Sequence, residues 1–348
     1  MNWRLSPATA FDANANVWGE LHARSATTPL LAYDFVAPLL AQFGNGDELL
    51  ACCEHEGRVV AMALLAPAGR FSWHTFQPPQ APLGLWLQEP GFAPTALLAS
   101  LMPALPGVAL VFGLTQCDPD LLARPTESSC LRTMDYIDTS RISLTGSFDD
   151  YWNARGKNLR ANLKKQRTRL AREGTALRLQ VSRSPDEVAA AIEQYGRLES
   201  AGWKSGGGSA VDAANAQGRY YRAMLESFCR RGAGSIYRYW FGEQLVAIDL
   251  CIEDDTQLIV LKTTYDESVA GGLSPALLMR EEALQALFAE ARLGRLEFYG
   301  RVMEWHTRWT NEVRTLYHVN YYRWSALARL HALWQSRRAS EPKENHVP

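Results

Sequence analysis

The run SIYRYWFGEQLVAIDLCIEDDTQLIVLKTT, residues 235–264, decides the fold. It contains three apolar, aromatic and β-branched stretches, 235–241, 245–253 and 256–264, broken at Gly242-Glu243 and Asp254-Asp255. Breaks of that kind between strand-like runs are hairpin turns, so the segment reads as an antiparallel meander. If Asp254-Asp255 is a two-residue loop, Glu253 faces Thr256, Cys251 faces Leu258, Asp249 faces Val260 and Ala247 faces Lys262. Asp249 and Lys262 then lie diagonally on one sheet face, within side-chain reach. A charge inside a sheet needs a partner or a wet cleft. Two readings of Asp249 stand: half of a structural ion pair, or a base or substrate contact.

Outward from the meander, the pattern alternates helices and strands. On its N-terminal side come a helix over 149–173 closed by Gly174, a strand over 176–182, and a helix begun by Ser184 and Pro185 that reaches about Ser200. A glycine-rich loop, 202–209, and a helix over 213–231 follow. On its C-terminal side come a helix from Ser274-Pro275 to about Ala291, a strand over 295–299, a helical or irregular stretch, a strand over 316–324 and a helix over 325–338. The first half repeats the order on a smaller scale, with helices over 16–23 and 34–43, strands over 48–54 and 59–66, and an extended run near 70–76. Glu56-Gly57-Arg58-Val59-Val60-Ala61-Met62-Ala63-Leu64 echoes Gly242-Glu243-Gln244-Leu245-Val246-Ala247-Ile248-Asp249-Leu250. Two copies of one α+β unit explain both the echo and the length. Asp249 stands where the first copy has Ala63, which points to the second copy for chemistry.

Length and composition agree. A chain of 348 residues, 47% hydrophobic and 21% charged, holds two ordinary cores. Lys plus Arg number 36 against 37 Asp plus Glu, a net charge of -1 that excludes a dedicated nucleic-acid coat. Six cysteines, with no Cys-x-x-Cys and no zinc spacing, indicate neither a disulfide framework nor a metal site. Residues 1–19 show no signal-peptide core, which makes the cytoplasm the expected compartment. Residues 90–117 carry no charge, but Pro94, Pro103, Pro106, Gly107 and Gly113 interrupt them. The stretch reads as a helix, a turn and a buried strand rather than a membrane span.

Several clusters could carry chemistry. Glu199, Trp203 and Lys204 put an acid, an aromatic and a base on the Gly-rich loop, either as a helix end with a linker or as a substrate loop. Thr264-Tyr265-Asp266-Glu267 closes the third strand, and Gly271-Gly272-Leu273-Ser274-Pro275-Ala276 leads into a helix. A strand, a glycine loop and a helix N-terminus offer backbone N–H groups to a pyrophosphate, although Ser274-Pro275 also reads as a plain cap. Between Arg155 and Arg172 there are eight bases and no acid, with Leu159, Leu163 and Leu170 as the packed stripe. That helix shows either a solvated face or a docking surface for an anionic partner. Tyr299, His306 and Trp309 follow the 295–299 strand, and His306 is a proton shuttle or a packed ring. No Gly-x-Ser-x-Gly elbow is present, which disfavours a hydrolase of that type.

In order, Asn158-Leu159-Arg160, Arg169-Leu170-Ala171-Arg172-Glu173-Gly174, Glu199 with Trp203-Lys204, Gly208-Ser209-Ala210, Val246-Ala247, Leu261-Lys262 to Tyr265-Asp266-Glu267, Ser274-Pro275, Gly300 and Trp309 resemble the GNAT acyltransferase superfamily. The likeness is to its CelD-like branch, related to FemAB-type aminoacyltransferases, and covers residues 148–324. It implies an α+β fold of tandem GNAT-like domains, each a mixed, mostly antiparallel sheet flanked by helices. The expected division is an N-terminal, degenerate domain over 1–145, an acyltransferase domain over 146–338 and a tail over 339–348. The resemblance further implies acyl-CoA or acetyl-CoA as co-substrate and an amine or hydroxyl acceptor, a small molecule or saccharide of exopolysaccharide or envelope synthesis, with no metal, DNA or transmembrane segment. Glu199, Asp249 and Glu267 are the candidate catalytic residues. Trp203, Lys204, Lys262, Tyr299, His306 and Trp309 are the candidate substrate contacts, and Gly271, Gly272, Ser274 and Ala276 the candidate cofactor contacts. The pattern departs from the family at Ala276, where this branch commonly has Gly, and at Glu304-Trp305, where relatives tend to have Lys before Trp. An aminoacyl-tRNA donor and a non-catalytic scaffold of a polysaccharide-synthesis assembly stand as alternatives.

Overall fold

The computed structural model describes residues 1–25, 27–201, 211–269 and 271–340. Its strands are β1 (Asn2–Pro7), β2 (Leu49–His55), β3 (Arg58–Gly69), β4 (Ser72–Thr75), β5 (Trp86–Gln88), β6 (Val111–Cys117), β7 (Leu131–Ser143), β8 (Leu177–Ser182), β9 (Gly234–Phe241), β10 (Gln244–Glu253), β11 (Gln257–Tyr265), β12 (Arg295–Phe298) and β13 (Glu312–Tyr322). Its helices are α1 (Ala15–Arg24), α2 (Tyr33–Phe43), α3 (Pro94–Leu101), α4 (Phe148–Asn153), α5 (Lys157–Arg172), α6 (Val188–Ala201), α7 (Ala216–Arg230), α8 (Pro275–Glu290), α9 (Glu304–Thr307) and α10 (Ser325–Ser340). No helix among the described residues is long and apolar enough to cross a membrane.

The chain forms two compact units, and they do not follow the expected cut at 145/146. Unit 1 is Met1–Thr27, Gly44–Tyr136 and Thr315–Pro348; unit 2 is Thr28–Phe43 and Ile137–Arg314. The reason lies in side chains. Within unit 2, α2 buries Phe35, Val36 and Leu39, and Phe35 and Phe43 meet the ring of Tyr220 on α7 edge-on. Within unit 1, β13 pairs antiparallel with β6, placing Val319 opposite Leu114.

Each unit repeats one strand logic. In unit 1, β1, β2, β3 and β4 pair antiparallel in succession, and β4 then pairs parallel with β6. In unit 2, β8, β9, β10 and β11 do the same, and β11 pairs parallel with β12. A parallel neighbour requires a crossover, supplied by α3 in one unit and α8 in the other. Unit 2 closes on the C-terminal part of β7, which runs antiparallel to β12. The expected tandem, mostly antiparallel α+β architecture is therefore the observed one. Val60 to Leu65 of β3 and Val246 to Ile252 of β10 are buried without alternation, as strands covered on both faces must be.

Three local expectations change. The helix over 149–173 is two helices, because Gly156 caps α5 while Tyr151 and Arg155, at the end of α4, both bond the carbonyl of Trp309. β1, β5 and β7 were not foreseen; β7 carries Arg132, Asp135, Asp138 and Arg141 and so lacks a strand's usual apolar signal. The β10–β11 register also differs. Asp254 Oδ1 accepts from the N–H groups of Thr256 and Gln257, making a longer turn that sets Glu253 opposite Leu258, and a bulge follows at Leu250/Cys251. Asp249 thus faces Thr263, and Lys262 pairs with Leu250, on the opposite face of the sheet from Asp249.

Candidate functional site

β11 and β12 hydrogen-bond at three positions only, Gln257–Arg295, Leu258–Leu296 and Ile259–Glu297. Beyond Ile259, β11 stays with β10 as far as Tyr265, whereas β12 ends at Phe298. The sheet of unit 2 therefore opens between these strands, at the end where α8 begins. A cavity of about 470 Å³ lies there, lined by Thr263 and Tyr265 of β11, by Asp266, Glu267 and Val269, by the start of α8 from Leu273 to Leu277 with Arg280, and by Trp305 and Trp309.

The loop entering α8 is braced from α5. The Ser274 N–H donates to Gln166 Oε1 (2.7 Å), and Arg169 Nη1 donates to the Gly271 carbonyl (3.1 Å). Gly272 takes φ +87°, a conformation natural to glycine. Pro275 occupies the first helical position and the Ser274 side chain makes no cap bond, so the helix N-terminus keeps its partial positive charge toward the cavity. Ser274 and Ala276 line the cavity; Gly271 and Gly272 form the adjoining turn.

Asp249 is 1% exposed and bonds Arg280 Nη2 (2.6 Å) and the Thr263 hydroxyl (2.6 Å). Burial pushes its carboxyl up, while Arg280 and Thr263 pull it down. The expected partner, Lys262, lies elsewhere, with Nζ 5.8 Å from the ring centroid of Tyr221. Asp249 does not line the cavity, but its partner Arg280 does. Sequence reading missed Arg280: nothing in Leu278-Met279-Arg280 distinguishes a buried arginine from one on an exposed helix face.

Glu199, 4% exposed, accepts the Val211 N–H (2.7 Å). It thereby ties the start of the next segment to α6, at a place where Gly196 has no room for a Cβ beside the Val211 carbonyl (2.6 Å). Trp203 and Lys204 lie outside the described residues. Of the three candidate carboxylates, Glu267 alone lines the cavity. Beside it, burial would raise Asp266, but hydrogen bonds from Ser268 and Gln244 hold its carboxyl below the usual value.

His306 is 4% exposed, its Nδ1 accepting the Met303 N–H (2.9 Å) and its ring stacked on Trp305. Burial lowers its pKa to about 4, so the ring is neutral and caps its own short helix. Tyr299 is 7% exposed and lies under the Arg314 guanidinium. Trp309 does line the cavity; it is fully buried and stacks on Trp152, and its indole N–H has no hydrogen-bond partner among the described residues.

On α5, the bases divide. Arg167 is held by Glu281 (2.7 Å) and Glu282 (2.6 Å) of α8. Lys157, Arg160 and Lys164 line a groove of about 590 Å³ beside Trp152, and neither lysine has an ion-pair partner among the described residues. In unit 1 the place equivalent to the β11–β12 opening is filled. The Thr75 and Thr115 hydroxyls bond at 2.6 Å, the Gly84 N–H donates to the Thr115 carbonyl (3.1 Å), and a Cβ on Gly84 would sit 2.4 Å from that oxygen. No group of metal-ligating side chains occurs among the described residues.

Residues 157–307 match the family described as Acetyltransferase (GNAT) domain. Among solved structures, the chain is similar to the C-terminal domain of a putative lysylphosphatidylglycerol synthetase from Agrobacterium fabrum, at 14% identity and TM-score 0.57, covering 92% of this chain and 96% of that one. It is also similar to FemX, at 10% identity and TM-score 0.55, covering 95% and 99%. A third is L-PGS from Bacillus licheniformis, at 14% identity and TM-score 0.50, covering 88% and 95%. At these identities the likeness is one of fold. No curated protein matches the sequence.

Proposed function

We propose that this chain, whose residues 157–307 form a GNAT acetyltransferase domain, transfers an acyl group from acyl-CoA to an amine or hydroxyl acceptor. The observation that carries the reading is the opening between β11 and β12 with a cavity at the α8 N-terminus. The residues suit a phosphopantetheine thioester. The free edge of β11 beyond Ile259 can pair with the amides of an extended arm, and the turn at Gly271-Gly272 with the helix N-terminus favours a pyrophosphate. The bound thioester supplies an activated acyl carbon. The acceptor's nitrogen or oxygen attacks that carbon, the C–S bond breaks, and the acceptor's proton leaves with the thiol, so no acyl-enzyme is required. Glu267, at the cavity, is the carboxylate placed to take that proton. Unit 1, with its opening filled, serves as the degenerate copy. An acceptor from exopolysaccharide or envelope synthesis, and action in the cytoplasm, belong to the same reading; the free thiols of all six cysteines support a reducing compartment.

The groove beside Trp152 favours a second reading, an aminoacyl-tRNA donor whose phosphates meet Lys157, Arg160 and Lys164. Thermal melting with acetyl-CoA, longer acyl-CoAs and free CoA tests the first. A ligand at 100 times its Kd stabilises the native state by about 2.7 kcal/mol. No shift with any thioester, together with tRNA binding that weakens steeply with salt, would replace the first reading by the second. No shift with either class of ligand would favour a scaffold.

A further inference from the structure

We infer that one end of the unit 1 sheet docks on an anionic phospholipid surface. At that end Ser72 of β4 pairs with Val111 of β6, and Val111 pairs with Tyr322 of β13, so the three strands stop in one row. The residues flanking the row are tied by the backbone: the Leu110 N–H donates to the Phe71 carbonyl (2.7 Å), and the Arg323 N–H donates to the Leu110 carbonyl (2.9 Å). Three large apolar side chains stand in solvent here, Phe71, Val108 and Trp324, at 45%, 54% and 55% exposure. A single exposed apolar residue needs no explanation, but three on segments bonded to one another mark a contact surface. Leu330 and Leu333, also exposed, follow on α10, where the Tyr322 hydroxyl and His331 Nδ1 hydrogen-bond at 2.6 Å and fix the helix to β13.

The charges around these side chains select the partner. The Arg70 guanidinium lies over the Phe71 ring at 5.1 Å, and Arg323 Nη1 donates to the Ala109 carbonyl (3.2 Å), next to Val108. Arg329 is exposed on α10. Acids are missing: residues 57–117 hold only Glu89, buried between Arg24 and Arg58, and residues 313–340 hold none. Tryptophan and arginine both set an apolar body at the acyl boundary and a polar end among head groups, and the bases draw the patch to anionic lipid. A second copy of the chain would set the same arginines against one another. A soluble polyanion would meet the arginines but leave Phe71, Val108 and Trp324 in water. Residues 341–348, EPKENHVP, supply one branched aliphatic side chain, Val347, too little to cover three.

Flotation of the full chain with vesicles of phosphatidylcholine alone, or of equal parts phosphatidylglycerol and phosphatidylcholine, tests this. Each base at an anionic surface strengthens partitioning about fivefold, so the wild type should favour the anionic vesicles by at least about tenfold and lose that preference in high salt. Arg70→Gln with Arg329→Gln should weaken binding to anionic vesicles roughly twentyfold. Phe71→Ser with Trp324→Ser should weaken it by more than about tenfold; both side chains are exposed, and a melting curve checks that each variant is folded. No partitioning of the wild type to anionic vesicles, equal partitioning to the two kinds, or undiminished binding in either double variant overturns the inference. A wild-type dimer in light scattering that Phe71→Ser with Trp324→Ser dissociates, without vesicle binding, also overturns it and assigns the surface to a second copy.

Discussion

Replacing Asp249 by Ala removes one member of a buried ion pair and leaves the other in place. Arg280 is 3% exposed and has Asp249 as its only carboxylate within 4 Å among the described residues. Breaking a buried pair in this way costs about 3–5 kcal/mol, because the remaining charge is neither solvated nor matched. The Thr263 hydroxyl loses its 2.6 Å acceptor as well, which adds about 1 kcal/mol where no water takes its place. For a unit of this size each kcal/mol moves the melting temperature by about 2–4 °C, so Asp249→Ala should melt roughly 8–24 °C below wild type. The double variant Asp249→Leu with Arg280→Met removes both charges, and should recover most of the loss, since apolar replacement of a buried pair is near neutral. Scanning calorimetry of wild type, Asp249→Leu, Arg280→Met and the double variant completes the cycle, with Asp249→Ala measured beside it. An Asp249→Ala protein melting within about 2 °C of wild type, or a double variant as unstable as the two single losses added, would refute the claim that this carboxylate acts by holding Arg280.

Three further outcomes follow from named contacts. Because burial lowers His306 to about 4 from an unfolded value near 6.5, its contribution is present above pH 6.5 and is lost as pH falls toward 4. Urea unfolding at pH 7 and pH 5 should show a wild-type loss of up to roughly 2 kcal/mol over that window, which His306→Asn abolishes; an equal loss in the variant would contradict the assignment. Gly84→Ala should destabilise unit 1 by about 1–3 kcal/mol through overpacking against Thr115, yet leave acetyl-CoA affinity unchanged; a parallel fall in affinity would show that unit 1 takes part in binding. Glu199→Ala should cost about 1–3 kcal/mol by stranding the buried Val211 N–H, whereas Glu199→Gln keeps an acceptor there and should melt close to wild type; equal losses in chemical denaturation would remove that bond as the reason for the acid's burial.

The meander and its flanking helices were legible in the sequence because glycine and aspartate turns punctuate long β-branched runs. The element carrying the least apolar contrast, β7, was not, since Arg132, Asp135, Asp138 and Arg141 interrupt its apolar residues and leave no regular alternation. Site residues divided for a related reason. Glu267, Ser274 and Ala276 lie where a strand end or helix start could be read, and those features bring them to the cavity, which Trp309 reaches from the turn after α9. Asp249 was singled out correctly as a charge inside a strand, but its partner was not. A one-residue bulge at Leu250/Cys251, together with a turn longer than two residues, moved Lys262 to the other face, and Arg280 arrives from a helix some thirty residues further on. Local spacing cannot reveal such a partner; only the packing of α8 against β10 does.

The division of the chain has a consequence for the order in which it can fold. α2, part of unit 2, is separated from the rest of that unit by residues 44–136, which are synthesised in between, and β13, which covers the edge of β6, is nearly the last element made. As the polypeptide leaves the ribosome, the first sheet must wait with β6 open to stray pairing until its closing strand emerges. Trimming to the matched segment, 157–307, would delete all of unit 1 and, from unit 2, α2, the part of β7 that pairs with β12, and α4.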